Sequence, residues 1–216
     1  MEDEKQYKWL GFAQDYLSCA ELLCWEMLEQ HYVYDPFDTG KQWARFPMHN
    51  IFIPMMFNLK HGIELFLKML RMVMVDKIEK GKNGHDIAYL FSLLKKEVDS
   101  DYIQDELHNT DTTTKNPGDK INLEIATENV KNLVSNFSEI ERVTMKYYEG
   151  EILLKSVPNK SLSFVDSDNT MFKYPENSSG QNIEYDTFVE KITKEDVKVI
   201  LADVRILLNT FNLSWV

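Results

Sequence analysis

The chain has 216 residues, which is enough for one domain that buries its own core without a metal ion or a disulfide. Hydrophobic residues make up 44% of it and charged residues 27%, a balance that excludes both a disordered chain and a membrane-embedded one. The net charge of −11 repels nucleic acids and anionic membranes on average, so any contact with RNA needs a local basic patch.

The chain carries no obvious targeting signal. No run of about 18 apolar residues occurs, and the acidic start MEDEKQYKWL lacks the basic-then-apolar order of a secretory signal. We therefore expect a cytoplasmic protein without a membrane segment. Its two cysteines, Cys19 and Cys24, fall on different faces of one predicted helix, beyond disulfide reach, so we expect both thiols to be reduced.

Apolar residues that recur at three- and four-residue spacing predict a series of helices. The first helix is predicted over residues 4–30, and the stretch 31–47, which contains proline and glycine, predicts a loop. The second helix begins at residue 49 or 50 and runs to about residue 80. Pro54 is tolerated close to its first turn, where the missing N–H costs least.

Three further segments complete the middle of the chain. A third helix is predicted from His85 to Val98, with Asp86 near its positive end. The polar residues 99–120 include Pro-Gly and predict a mobile loop. A fourth helix is predicted from about residue 125 to residue 148, where apolar residues keep helical phase.

The end of the chain contains an interruption and one more helix. Residues 150–186 lose helical phase, and aromatic runs around a turn-rich centre predict a small irregular or β-hairpin insertion. The last helix follows, and Thr193 with Asp196 predicts a capping box at its start. The sequence thus predicts a single all-α domain over 1–216, an up-and-down bundle of about five helices with the insertion before the last.

A polar stripe interrupts the second helix within the segment NLKHGIELFLKML. Lys60, Glu64 and Lys68 are spaced by four residues, and His61 lies three residues before Glu64, so all four project from one stripe. Apolar residues occupy the opposite side. This pattern is typical of a helix that packs on one face and meets water or a partner on the other.

The same part of the chain is basic. Residues 60–96 contain eight basic and four acidic residues, a net charge of +4 that leaves −15 for the rest. This asymmetry is consistent with a nucleic-acid surface, although solvated lysines around a helix end would give the same pattern.

A helix–turn–helix can bring the start of the third helix back toward the second, which would join His85 to His61 and Glu64. We predict these three as a catalytic cluster able to exchange protons. A metal ion is the alternative occupant, but no Cys/His zinc pattern is present, and we assign no metal and no cofactor. The residues predicted to bind a nucleotide or RNA are Lys60, Lys68, Arg71, Lys173 and Tyr174.

Structural roles remain open for the same residues. Glu64 could simply pair with Lys60 and Lys68, and His85 could help to start a helix. An aromatic residue beside a cation, as at Lys173 and Tyr174, could stack a base, but it could equally plug one end of the bundle.

Two of these segments resemble a known family. HGIELFLKML and GHDIAYLFSLL resemble the His-x-x-Glu-Leu-x-Leu-Lys helix and the Gly-His-Asp-Leu helix start of bacterial HEPN-domain proteins (higher eukaryotes and prokaryotes nucleotide-binding). FKYPENSSG is similar to an aromatic-basic-Tyr-Pro segment found downstream in some of them. The matching motifs cover residues 58–94 and 172–180, and the helical order agrees over most of the chain.

The resemblance implies a bundle of four or five helices that forms a homodimer and binds RNA or a nucleotide. It also implies a stress, antiphage or toxin–antitoxin setting, with a cognate antitoxin or regulatory protein as a partner. Many HEPN proteins are metal-independent endoribonucleases, whose signature is an arginine followed by four to six residues and then a histidine. No arginine of this chain has a histidine at that distance, and the nearest pair, Arg45 and His49, has only three residues between them.

Three classes of function therefore remain open. The first is a HEPN-like RNA- or nucleotide-binding protein that lacks the standard ribonuclease motif. The second is an atypical metal-independent endoribonuclease that uses the His61, Glu64 and His85 cluster, or Arg45 with His49 across a dimer. The third is a non-catalytic interaction module whose polar stripe is only solvated surface.

Overall fold

The protein is described by a computed structural model that covers residues 2–29, 48–75, 82–99, 134–148 and 192–212. Within these ranges every regular element is helical, which confirms the all-α prediction, and no strand occurs in them. The helices are α1 (Glu2–Glu29), α2 (Met48–Val75), α3 (Ile87–Val98), α4 (residues 134–148) and α5 (Lys194–Asn212), with a 3₁₀ turn (Lys82–His85) before α3.

Several sequence predictions lie outside the described residues. These are the loops at 31–47 and 99–120, the insertion at 150–186, and the binding residues Lys173 and Tyr174.

The centre of the bundle is α2. It packs against α1 and α3, while α1 also contacts α5. From Leu59 to Met72 every residue except His61 is buried, so α2 is enclosed around nearly its whole circumference over about four turns. The polar face, for which the sequence left water or a partner open, is therefore buried among the described residues. The turn before α3 and α3 itself lie over the polar stripe, since His85 contacts Glu64 and Arg71 approaches Glu97.

The close packing of α1 on α2 depends on a glycine. A Cβ atom at Gly62 would lie 2.8 Å from both Cγ and Cδ2 of Leu17 and 3.3 Å from its backbone nitrogen. Leu17 is fully buried, and its Cγ, close to its own backbone, is one of the atoms that would have to shift. Only glycine therefore allows the two helices to approach this closely.

Two helix starts follow from side-chain caps. Asp86 caps α3, because its carboxylate accepts from the backbone N–H of Tyr89 at 2.9 Å. At the start of α5, Asp196 accepts from the backbone N–H and hydroxyl of Thr193, and the Thr193 hydroxyl accepts from the Asp196 N–H. The predicted capping box is thus confirmed. The third helix begins two residues later than predicted, with His85 in the preceding 3₁₀ turn.

Specific contacts tie α4 to α3, and an ion pair between Arg205 and Glu21 ties α5 to α1. The ring of Phe91 in α3 stacks on Phe137 of α4 with centroids 5.0 Å apart, and Lys95 pairs with Glu141 beside them.

Both cysteines of α1 are free thiols, as predicted.

Candidate functional site

The candidate site is organised around the carboxylate of Glu64, which is only 1% exposed at the centre of α2. Lys68 lies one turn further along the same helix and donates from Nζ to Oε1 at 2.8 Å. His85 reaches the same oxygen from the 3₁₀ turn, with Nδ1 at 3.0 Å. The structure therefore brings the turn before α3 back onto α2 in the way that the helix–turn–helix argument anticipates.

His61 meets the other carboxylate oxygen less closely. Its Nδ1 lies 3.6 Å from Oε2 of Glu64, beyond hydrogen-bond distance, and this buried nitrogen has no hydrogen-bond partner among the described residues. The ring is held instead by aromatic neighbours. Tyr16 of α1 meets it edge-on with centroids 4.6 Å apart, and Phe57, one turn earlier on α2, lies parallel to it at 5.7 Å.

The two histidines differ in their access to solvent. The side chain of His85 is 50% exposed, while that of His61 is 21% exposed. A carboxylate only accepts hydrogen bonds, so it holds His85 with a proton on Nδ1 and leaves Nε2 as the nitrogen that can meet a ligand. A buried carboxylate that orients an imidazole in this way prepares it to bind an anion or to exchange a proton.

The ammonium group of Lys68 stabilises the buried carboxylate of Glu64. A lone carboxylate would be costly to bury, and the ammonium group at 2.8 Å compensates that cost with a charge-assisted hydrogen bond. Glu64 is thereby kept inside the bundle as a support for His85.

The basic residues predicted to bind a nucleotide or RNA are placed differently from expectation. Lys60, Lys68 and Arg71 are each at most 6% exposed, so they do not form an open basic patch. Arg71 approaches Glu97 of α3 at 3.8 Å, which turns its guanidinium toward a carboxylate of the protein. Of the predicted site residues that the structure describes, His85 is the most accessible.

A second buried carboxylate, Asp203 of α5, escaped the sequence analysis. It is 2% exposed and accepts from Nζ of Lys146 at 2.6 Å, from the hydroxyl of Tyr147 at 2.9 Å and from a guanidinium nitrogen of Arg142 at 3.1 Å. All three donors belong to α4. A signal was present in the sequence, because position 203 falls in phase with the apolar residues of α5, where an acid requires partners.

Asp203 and Tyr147 are buried, and the pKa values near them reflect this. Burial first, and then the Asp203 charge, raise the pKa of the Tyr147 hydroxyl well above 10. Burial also raises the pKa of the Cys24 thiol, which faces the same region, to about 12, with a smaller contribution from Glu21. The pKa of Arg142 is raised although burial opposes it, because Glu139 and Asp203 both bind its guanidinium.

The described ranges contain neither a cluster of metal ligands nor a membrane-spanning helix. No three histidine, cysteine, aspartate or glutamate side chains there are arranged to hold a metal ion. Within the same ranges, no helix combines the length and apolar character needed to cross a membrane.

Comparison with known proteins adds no relative. No protein-family model, no curated protein and no solved structure matches this chain. The resemblance to HEPN-domain proteins thus depends on the motifs in residues 58–94 and 172–180 alone.

Proposed function

We propose that this chain is a HEPN-like RNA- or nucleotide-binding protein of the stress or defence type that lacks the standard ribonuclease motif. The observation that carries the proposal is the pairing of a half-exposed His85 with a fully buried Glu64. In its doubly protonated form, an imidazole held in this way donates from Nε2 to a phosphate while Nδ1–H stays anchored on the carboxylate.

The charge pattern of α3 supports the same ligand. Lys95 and Lys96 occupy the last turn of this helix and are exposed, in contrast to the buried cations of α2, although Lys95 also pairs with Glu141 of α4 at 3.0 Å. They lie about 15 Å along the helix axis from His85, as the rise of 1.5 Å per residue implies. A ligand with several phosphates would be able to contact both ends of α3, which favours an oligonucleotide over a single phosphate ion.

The test is a binding measurement on matched variants. Fluorescence anisotropy with labelled single-stranded RNA, and thermal shift with mononucleotides, should report binding by the wild type. His85→Gln should weaken that binding by about fivefold or more, because a charge-assisted contact is lost. Lys198→Gln, an exposed cation of α5 in a surface ion pair, serves as the control and should bind as the wild type does. Equal binding by the wild type and His85→Gln would reject His85 as the contact group.

An atypical metal-independent endoribonuclease is the second candidate. The observation that favours it is that two imidazoles, His61 and His85, approach the two oxygens of one carboxylate. One histidine would accept the proton of a ribose 2′-OH as that oxygen bonds to the adjacent phosphorus, and the other would protonate the departing 5′-oxygen.

This second candidate makes a separate prediction. The wild type should cleave RNA in the presence of a chelator and leave 2′,3′-cyclic phosphate and 5′-hydroxyl ends. His61→Gln and His85→Gln should each reduce the rate by about a hundredfold. RNA that remains intact with the wild type would remove this candidate and leave the binding proposal standing.

The resemblance also motivates a homodimer, a cognate antitoxin or regulatory partner, and a cytoplasmic location. Sedimentation velocity on the purified chain tests the dimer directly. An interaction module, the third class, would show neither RNA binding nor cleavage. Its original basis in a solvated stripe is gone, because Lys60, Glu64 and Lys68 are buried.

A further inference from the structure

Three aromatic rings meet beside the candidate site. Tyr16 lies edge-on to His61 at 4.6 Å and edge-on to Phe57 at 6.2 Å, while Phe57 and His61 are within 10° of parallel. All three residues are only partly buried, in contrast to the fully buried residues around them on α2. The aromatic cluster, defined by these three residues, therefore offers ring surface at the edge of the core.

The sequence builds this cluster through backbone proximity. Gly62 lets α1 approach α2 so closely that Leu17 fills the space of its missing side chain. Tyr16 precedes Leu17 and consequently reaches the ring of His61. Leu17 makes the close contact with Gly62, and Tyr16, the residue before it, completes the cluster.

The aromatic cluster is adjacent to the group proposed to hold phosphate. His61 and His85 approach different oxygens of the Glu64 carboxylate, so the cluster and His85 are separated by one carboxylate group. A nucleotide carries a flat aromatic base and a phosphate joined by one sugar, so its two ends match a stacking surface and an anion contact that lie side by side.

We infer that the aromatic cluster is a nucleobase subsite, with Tyr16 as its stacking residue, so that the ligand is recognised by its base and by its phosphate. This inference rests on the proposed binding function and adds the part of the ligand that is recognised. Base stacking on an aromatic side chain accepts any base, so the subsite selects nucleotides from other phosphates without reading sequence.

The experiment compares ligands that differ only in the base. Binding is measured for a single-stranded RNA and for the same backbone with abasic positions, and in parallel for AMP and ribose 5-phosphate. The wild type should prefer the base-bearing ligand of each pair by about tenfold, which is within the range of one stacked base. The two pairs also separate an RNA ligand from a free mononucleotide.

Variants of α1 locate the effect. Tyr16→Leu keeps an apolar side chain and should abolish the preference, while Tyr16→Phe keeps the ring and should retain it. Trp25→Leu is the control, because Trp25 is a partly exposed aromatic residue of the same helix that packs against Arg205, away from the cluster. Circular dichroism and melting temperature confirm that each variant is folded.

The outcomes separate this inference from the proposed function. If the wild type binds base-bearing and abasic ligands equally, or if Tyr16→Leu keeps the preference, the nucleobase subsite is rejected and phosphate binding at His85 remains. If the wild type binds no member of either pair, both proposals are rejected. A preference that is lost in Tyr16→Leu and kept in Tyr16→Phe and Trp25→Leu establishes the subsite.

Discussion

Among the residues that the structure describes, two carboxylates are buried, and they are partnered in opposite ways. Asp203 is bound by the ammonium group of Lys146 and by Arg142 and Tyr147, whose pKa values are both raised. Glu64 is bound by a lysine and by an imidazole, and imidazole is the side chain that exchanges protons near neutral pH.

Exposure alone does not separate the two carboxylates. Arg142 beside Asp203 is 47% exposed and His85 beside Glu64 is 50% exposed, while Tyr147 is buried. A carboxylate bound by permanent donors serves to hold helices together, and one bound by an accessible imidazole can serve a ligand. The comparison thus teaches that burial of a charge alone does not identify a functional site. The chemical identity of its partners does.

The largest effect should come from breaking the Asp203 cluster. Asp203→Ala leaves the ammonium of Lys146 and the hydroxyl of Tyr147 buried without their acceptor, so the free energy of unfolding should fall by about 3–5 kcal/mol. Urea denaturation measures it. Glu195→Ala, an exposed acid of the same helix in a surface ion pair, should cost less than about 0.5 kcal/mol. Similar losses in both variants would refute a locking role for Asp203.

The packing of α1 on α2, the helix that carries Glu64, can be tested at Gly62. Gly62→Ala places a Cβ atom 2.8 Å from Leu17 and should lower the free energy of unfolding by about 1–3 kcal/mol. Gly11→Ala in α1 meets nothing within 4 Å and should raise it by up to about 1 kcal/mol, because alanine favours helix. Thermal melts of both variants suffice. If both variants gain stability, the close approach of α1 and α2 is not required.

Alkaline pH should lower the free energy of unfolding through the buried thiol of Cys24. The Cys24 thiol loses its proton near pH 9.0 in the unfolded chain but only near pH 12 in the fold, so the unfolded state binds fewer protons between these values. Stability from this group is complete below pH 9 and is lost as the pH rises toward 12, by at most about 1.4 kcal/mol per pH unit.

The measurement is urea denaturation at several pH values for the wild type and Cys24→Ala. The variant should show a shallower decline above pH 9, and the difference in slope is independent of any packing cost of the substitution. Tyr147, whose pKa is raised above 10, should keep part of the decline in the variant. Identical slopes would contradict the buried thiol.

The smallest effect on stability is expected at His85. Because half of its side chain is exposed, His85→Gln should change the free energy of unfolding by less than about 1 kcal/mol even though it weakens ligand binding. Urea denaturation beside the Asp203→Ala experiment gives a direct comparison. A loss as large as that of Asp203→Ala would make His85 a structural residue and would remove the basis of the proposed function.

The sequence predicted the helices better than it predicted their surroundings. Hydrophobic periodicity located the described helices, and Thr193 with Asp196 located the start of α5, because these signals are local. The sequence left open what covers the polar stripe on α2, because lysine and glutamate four residues apart look the same whether water or another helix covers them. Asp203 was missed because its partners come from α4, far away in the chain.

Hydrogen exchange offers a consequence of the enclosure of α2. The amide groups from Leu59 to Met72 lie in a helix with neighbours on nearly every side, so they should exchange with deuterium only when the whole bundle opens. The amides in the exposed last turn of α3 should exchange through local fraying. The exchange rates of these slowest amides in α2 would then measure the free energy of global unfolding in the wild type and in every variant.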